Sequence, residues 1–300
     1  MGFELRAYAI LTRPANLPTA AADILAGVAI AAFFTLEEVG VVAVDAFYEH
    51  SFLLVCASIF LYAGGVVLND FFDFKIDQIE RPERPIPSGL VSLRSAMVFG
   101  IVLLCIGMVL AFFVATLCGI IAFALALCIV LYDAFSKKHT VIGPLNMGVC
   151  RGLNLILGMS ILGVINFWWF AIISIAYIFA ITLISRGEVH GKNKNHIVLA
   201  GVLYAGVIFA VGGIVYLYTD MILVTSLFLL VFVILIFRPL VKAYQINSPE
   251  NIKKAVIAGV LSLIVLDASI AVGFSHWWYG LGIVALLPIS MVLSKFFSVT

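Results

Sequence analysis

Long apolar runs separated by short polar segments fill almost the whole chain. Runs of about 18 or more apolar residues recur, and each is long enough to cross a bilayer as an α-helix. The fold class indicated is all-α, a polytopic transmembrane helical bundle in which residues 1–300 form a single domain. The predicted spans cover residues 15–34, 51–70, 95–115, 117–133, 144–163, 167–185, 197–217, 221–238, 254–273 and 277–295.

Composition agrees with this pattern. Hydrophobic residues make up 64% of the 300 residues and charged residues only 11%, whereas a soluble domain carries roughly 25% charged residues. The five cysteines lie in or beside apolar runs without paired spacing, so neither a disulfide framework nor a metal knuckle is indicated.

Charge differs sharply between the loops on the two sides of the predicted bundle. One side contains the great majority of the lysines and arginines. The loops of the other side carry only acidic charges, at Glu37, Glu38, Asp45, Glu49 and Asp220. The positive-inside rule places the basic side, with both termini, in the cytoplasm. We therefore expect an integral, multi-pass protein of a bacterial inner membrane.

The segment 68–89, LNDFFDFKIDQIERPERPIPSG, interrupts the apolar pattern with a cluster of charges. If the second helix continues to about residue 77, Asn69, Asp73 and Asp77 are spaced i, i+4, i+8 and share one face, with Asp70 beside them. Like charges at this spacing destabilise a bare helix, and a bound cation would remove the penalty. Such oxygen ligands suit Mg²⁺, which takes one or two carboxylates together with waters and substrate phosphates. The alternative is a solvated loop whose acids pair with neighbouring basic residues.

The sequence NDFFDFKID followed by RPERP resembles the first aspartate-rich motif of the UbiA superfamily of intramembrane prenyltransferases. TRPANLP at 12–18 and LYDAFSKKHTVIGPLN at 131–146 resemble the beginning of the first helix and the end of the fourth in that superfamily. The resemblance implies a nine-helix bundle around a central cavity, where Mg²⁺ ions hold the diphosphate of a polyprenyl substrate. Tyr132 and Lys137 would face that diphosphate, and a tenth C-terminal span would be an addition to the core.

The second acidic motif departs from the family pattern. The corresponding stretch, LISRGEVHGKNKN at 183–195, keeps Glu188, but Ile184 stands where a second acid is usual. SRGEVHG is similar to a divergent UbiA-like subgroup, the EboC-type proteins. Because of this departure, the sequence does not decide whether a second metal site is present. His190 is either a general base near the acceptor or an exposed loop histidine.

Polar residues also occur inside the predicted spans, where ionisable groups are costly and usually paired. Asp23, Arg151, Asn154 and Asp267 are of this kind, and we expect Arg151 to pair with Asp267 or Asp23. They form either the polar lining of an acceptor pocket or a buried ion pair that fixes the register of the helices.

Residues and resemblance together predict Mg²⁺-dependent transfer of a prenyl group from a polyprenyl diphosphate to a small acceptor within the membrane, with no nucleic-acid partner. The alternative is a non-catalytic binder or transporter of a prenylated or aromatic metabolite. The predicted catalytic residues are Asp73, Asp77 and Glu188, and the predicted metal ligands are Asn69, Asp70, Asp73, Asp77 and Glu188. The predicted substrate-binding residues are Arg81, Arg84, Tyr132, Lys137, Asn16, Arg186 and His190.

Overall fold

The computed structural model describes residues 3–39, 44–188, 191 and 193–297, and the predicted site residue His190 lies outside these residues. In the described chain all regular structure is helical. The helices are α1 Phe3–Leu11, α2 Leu17–Val39, α3 Val44–Phe72, α4 Phe74–Glu80, α5 Leu93–Val114, α6 Thr116–Ala134, α7 Ile142–Met159, α8 Ala171–Ser185, α9 Lys194–Tyr218, α10 Ile222–Gln245, α11 Pro249–Gly273, α12 Trp277–Val284 and α13 Leu286–Leu293.

Nine helices of the described chain are long and apolar enough to cross a membrane, which confirms the nine predicted spans before the last. The protein is therefore an integral, multi-pass membrane protein. The third and fourth spans are separate helices, α5 and α6, because the chain is extended at Ala115, whose φ and ψ are −160° and 154°. Helices α2 and α11 lie at the centre of the bundle, since 72% and 78% of their most apolar stretches are buried.

The C-terminal segment differs from the predicted continuous span 277–295. It consists of two short helices, α12 and α13, of eight residues each. Pro288 lies near the start of α13 and has no N–H to bond the carbonyl of Val284, which explains why a single helix does not form. The segment packs along α2, where the Tyr279 hydroxyl donates to the carbonyl of Leu25 over 3.0 Å and the Ser290 hydroxyl bonds the carbonyl of Ala15.

Helices α2 and α7 meet in direct backbone contact through two glycines. A Cβ atom placed on Gly158 would lie 2.4 Å from the carbonyl oxygen of Ile24, and one placed on Gly27 would lie 2.4 Å from that of Leu155. This close approach holds the polar residues of the two helices against each other at the centre of the bundle.

We expect Gly158→Ala to lower the melting temperature, because the added methyl group must displace the α2 backbone at a cost of about 1–3 kcal/mol. Gly213→Ala in α9 is the matched control, since an added Cβ there meets nothing within 4 Å and alanine favours a helix over glycine by about 1 kcal/mol. Circular dichroism melts of the detergent-purified protein measure both effects. Equal melting temperatures for the two variants would contradict the close packing.

Candidate active site at the polar end of the bundle

The acid-rich segment keeps its helical spacing across the join between α3 and α4. Asp73 lies between the two helices, yet its N–H donates to the carbonyl of Asn69 and its own carbonyl accepts from the N–H of Asp77, both at 2.9 Å. Asn69, Asp73 and Asp77 therefore occupy successive turns, as the sequence predicts. Their side chains contact residues of other segments rather than extending into solvent.

The first group of contacts is centred on Arg84, in the loop that follows α4. Its Nη1 lies 3.1 Å from Oδ1 of Asp70 and 2.7 Å from Oδ2 of Asp77, so oxygens of two carboxylates converge on one cationic nitrogen. Arg13, which precedes α2 and has the left-handed backbone angles φ 43° and ψ 66°, adds a second contact to Asp70 at 2.7 Å. The beginning of α2 is thereby tied to the acid-rich segment.

The second group of contacts is centred on Lys137, just after α6. Its Nζ lies 2.6 Å from Oδ1 of Asp73 and 3.8 Å from Oδ1 of Asp133. The amide nitrogen of Asn69 donates to the same Asp133 oxygen over 2.7 Å. Because this bond engages the amide nitrogen, the amide oxygen of Asn69 points away from Asp133 and is left as a potential ligand.

Most of the carboxyl groups in these contacts are buried, so their charges need partners within the protein. Asp70, Asp77 and Asp133 are 5%, 4% and 3% exposed, and carboxylates removed from water in this way are costly unless they are paired and hydrogen-bonded. Four carboxylates contact three basic side chains, so the acids outnumber the bases. The carboxylates are Asp70, Asp73, Asp77 and Asp133, and the basic side chains are Arg13, Arg84 and Lys137.

A cavity of about 310 Å³ adjoins this cluster inside the bundle, between α2, α3, α6, α7, α8 and α11. Arg13, Asn69 and Asp133 line it at the polar end, together with Tyr132, which was predicted to contact substrate. Most of the remaining lining is apolar, including Val66, Ile129, Met147, Ile178 and Leu263. The charged cluster thus forms the entrance to a largely apolar chamber.

Glu188, the acid of the second motif, has basic neighbours. Burial raises the pKa of Glu188 above its ordinary value of 4.5, while the charges of Lys253 and Arg81 act in the opposite direction. Arg81 lies at the end of α4, so the two acidic motifs approach each other through this pair. The charges that act on Glu188 are those of the two basic residues rather than those of the aspartates.

Two further predicted residues lie away from the cluster. Asn16 is 4% exposed in the 3₁₀ turn directly before α2 and is not part of the cavity lining. The guanidinium of Arg186 donates from Nη2 to the carbonyl of His139 over 2.6 Å. The structure therefore brings together six of the predicted residues in the cluster, with Tyr132 beside it in the cavity lining. The six are Asn69, Asp70, Asp73, Asp77, Arg84 and Lys137.

Sequence reasoning assigned no role to two residues of the cluster, Asp133 and Arg13. A signal for Asp133 was present, since it ends an apolar helix and stands four residues before Lys137, the spacing of an i, i+4 ion pair. Arg13 could not be found from spacing, because Asp70 is 57 residues distant in the chain.

The cluster contains oxygen ligands that suit a divalent cation. Across the residues that the structure describes, no three His, Cys, Asp or Glu side chains converge as a ready-made metal centre. Mg²⁺ does not require one, because it commonly binds through one or two carboxylates, waters and the phosphates of a substrate. The carboxylate pairs that converge on Arg84 and on Lys137, with the amide oxygen of Asn69, supply ligands of this kind. The residues therefore fit Mg²⁺ that is held jointly with a phosphorylated ligand.

Sequence comparisons with known proteins agree on one protein family. The sequence profile of the UbiA prenyltransferase family matches residues 24–256. A digeranylgeranylglyceryl phosphate synthase from Methanosarcina barkeri is 39% identical over 114 residues, which are 38% of this chain and 39% of that protein. The chain spans about half the length of the curated relatives that it matches.

Two solved structures have the same fold. A UbiA homologue from Aeropyrum pernix K1 superposes with a TM-score of 0.63 at 15% identity, covering 91% of this chain and 98% of that one. A UbiA homologue from Archaeoglobus fulgidus, solved with GPP and Mg²⁺ bound, superposes with a TM-score of 0.59 at 14% identity, covering 95% and 100% of the two chains.

The raised pKa of Glu188 makes the stability of the protein depend on pH. Between the unfolded and folded pKa values the folded state binds more protons, so the free energy of unfolding falls as pH rises through that window. Glu188→Gln removes this dependence, and we expect it to melt like the wild type at pH 4 and at a higher temperature than the wild type at pH 8. Melts in buffer with a metal chelator measure this. Glu83→Gln, an exposed residue, is the control, and a Glu188→Gln protein that melts lower at pH 8 would contradict the interpretation.

Proposed function

The chain belongs to the UbiA prenyltransferase family, and we propose that it is a Mg²⁺-dependent enzyme that transfers a prenyl group from a polyprenyl diphosphate to a small acceptor within the membrane. One observation carries the proposal. A buried cluster rich in carboxylates and basic side chains stands directly at the entrance of an apolar cavity. A molecule with a diphosphate head and an apolar chain fits this arrangement, because its head would lie in the charged cluster and its chain in the apolar cavity.

The cluster would bind the diphosphate end of the donor. Asn69, Asp70, Asp73 and Asp77 would hold Mg²⁺, whose charge would stabilise the diphosphate as it leaves. Arg84 and Lys137 neutralise the carboxylates in this structure. Each can exchange a carboxylate for a phosphate oxygen by side-chain rotation, since both side chains are long and partly exposed. Such an exchange would free the carboxylates for the cation and so couple the binding of the diphosphate to the binding of Mg²⁺.

The cavity would serve the reacting end of the donor and the acceptor. Its apolar walls exclude water, so the allylic carbon meets the acceptor instead of being hydrolysed. Tyr132 lines the cavity next to Asp133, at the junction of the charged and apolar parts, where it would contact the diphosphate. Glu188, with Arg81 and Lys253 near it, would hold or orient a second Mg²⁺ ion on the other side of the diphosphate.

The acceptor is proposed only in outline. The names of the curated relatives support an acceptor that contains a glycerophosphate group, whereas the EboC-type subgroup suggested by SRGEVHG does not fix an acceptor. For location, we propose one domain over residues 1–300 with the acid cluster and both termini on the cytoplasmic side. The bacterial inner membrane stays a prediction, and the relatives named above come from archaea.

A second candidate function is a non-catalytic binder or transporter of a prenylated or aromatic metabolite. The observation in its favour is the second motif, where Glu188 lies among basic side chains and Ile184 replaces the other acid. Such a protein would bind a prenyl diphosphate with Mg²⁺ and release no diphosphate.

We expect Asp73→Asn and Asp77→Asn each to lower diphosphate release by at least about 100-fold, because each removes a carboxylate that would hold the Mg²⁺ ion stabilising the leaving diphosphate. The assay uses the purified protein with geranylgeranyl diphosphate, Mg²⁺ and a panel of acceptors that includes a lipid glycerophosphate and a neutral quinol. Glu83→Gln, exposed in the same acid-rich segment, is the control and should keep wild-type activity.

Activity that survives both aspartate substitutions would rule out the enzyme proposal. Tight Mg²⁺-dependent binding of geranylgeranyl diphosphate by the wild type, with no release across a panel of acceptors, would favour the binder instead.

A further inference from the structure

The inner end of the cavity is polar, although it lies deep in the bundle. Thr19, Ser58, Arg151 and Asn154 line it there, contributed by α2, α3 and α7. Ser58 precedes Asn69 by 11 residues on α3, so this end lies about 16 Å from the acid cluster at a rise of 1.5 Å per residue. The cavity therefore connects two separate polar sites through an apolar middle.

Arg151 presents hydrogen-bond donors to this inner end. Its Nε lies 2.6 Å from Oδ2 of Asp23, and its Nη2 donates to the carbonyl of Thr19 over 2.6 Å. A guanidinium carries five N–H donors, and among the described residues Nη1 has no hydrogen-bond partner. Arg151 is only 8% exposed and lines the cavity. A ligand in the cavity that accepts from Nη1 would use donors that the described protein groups leave unbonded.

The surrounding side chains hold the guanidinium in place. The amide nitrogen of Asn154 donates to Oδ2 of Asp23 over 2.8 Å and to the carbonyl of Ala20 over 3.0 Å. The Ser58 hydroxyl donates to the amide oxygen of Asn154 over 2.7 Å. These bonds link three helices and leave Arg151 little freedom to rotate, so its free donors keep a fixed direction.

The charge of this inner site limits what it can bind. Asp267 of α11 is 1% exposed and interacts with the carboxyl of Asp23. The charge of Arg151 is already balanced by a carboxylate. A phosphate dianion would add uncompensated charge to the bundle interior, whereas a neutral oxygen that accepts a hydrogen bond would not.

We propose that Arg151 recognises the prenyl acceptor, by donating to a carbonyl or hydroxyl oxygen at the far end of a neutral, membrane-soluble molecule. The nucleophilic end of that molecule would then face the acid cluster. This inference rests on the proposed prenyl transfer, and it favours a neutral acceptor over the glycerophosphate acceptor that the names of the relatives suggest. The cavity of about 310 Å³ lies at the lower limit for ligand pockets, about 300–1,000 Å³, so it suits a small ring system better than a second long prenyl chain.

The test uses 2,3-dimethyl-1,4-naphthoquinone as a neutral, unreactive probe with two carbonyl oxygens. Its Kd is measured by equilibrium dialysis on the full chain in nanodiscs, and the Kd of geranylgeranyl diphosphate with Mg²⁺ is measured in parallel. Arg151→Lys keeps the charge beside Asp23 but loses the planar fork of donors. We expect it to weaken probe binding at least about tenfold, the value of one hydrogen bond to a charged group, and to leave diphosphate binding unchanged.

Three controls keep the outcome decisive. The double variant Arg151→Met with Asp23→Asn removes the ion pair without leaving a lone buried charge, and it should also lose the probe. Glu83→Gln alters an exposed residue outside the cavity lining and should keep the probe within about threefold. A large excess of glycerol 3-phosphate should not displace the probe.

Failure of the wild type to bind the probe, or equal binding by both Arg151 variants, would overturn the assignment and leave a purely structural ion pair. Displacement by glycerol 3-phosphate would also overturn it. If the wild type binds the probe through Arg151 but does not bind geranylgeranyl diphosphate, the proposed prenyl transfer is wrong and the inner binding site is still supported.

Discussion

The need to neutralise buried carboxylates at one end of an apolar helix bundle determines the arrangement of this protein. Three of the four acids are buried, and Arg13, Arg84 and Lys137 reach the four from the beginning of α2, the loop after α4 and the turn after α6. Each contact joins a different segment to the acid-rich one. The same contacts hold the end of the bundle together and form a site where the basic side chains can exchange a carboxylate partner for a phosphate oxygen.

A second buried group of charges, around Arg151 in the middle of the bundle, is also neutralised by pairing. Its ion pair with Asp23 depends on the backbone contact between α2 and α7 at Gly27 and Gly158. The sequence left open whether Arg151 pairs with Asp23 or Asp267. The structure shows the pair with Asp23, while Asp267 lies beside that carboxyl. The two charge groups lie at opposite ends of one cavity, so the two ends of the cavity differ in the ligand groups that they can bind.

The fold was predictable because nine spans are long, apolar and separated by polar segments, and the inward-facing acids were predictable from the four-residue spacing of Asn69, Asp73 and Asp77. The last span was not, since an apolar run does not show that Pro288 divides it. Asp133 and Arg13 were missed because their importance comes from tertiary contacts. Asn16 was expected at the substrate but is buried outside the cavity lining, and the charges acting on Glu188 depend on where α4 ends and α11 begins.

The most direct measurement is a cryo-EM map of the protein with Mg²⁺ and a non-hydrolysable thiolo analogue of geranylgeranyl diphosphate. We expect the diphosphate at the acid cluster, with metal density next to Asp73 or Asp77 and with Lys137 and Arg84 turned from their carboxylates onto phosphate oxygens. A map in which the Lys137–Asp73 and Arg84–Asp77 pairs stay intact and the diphosphate lies elsewhere would contradict the account.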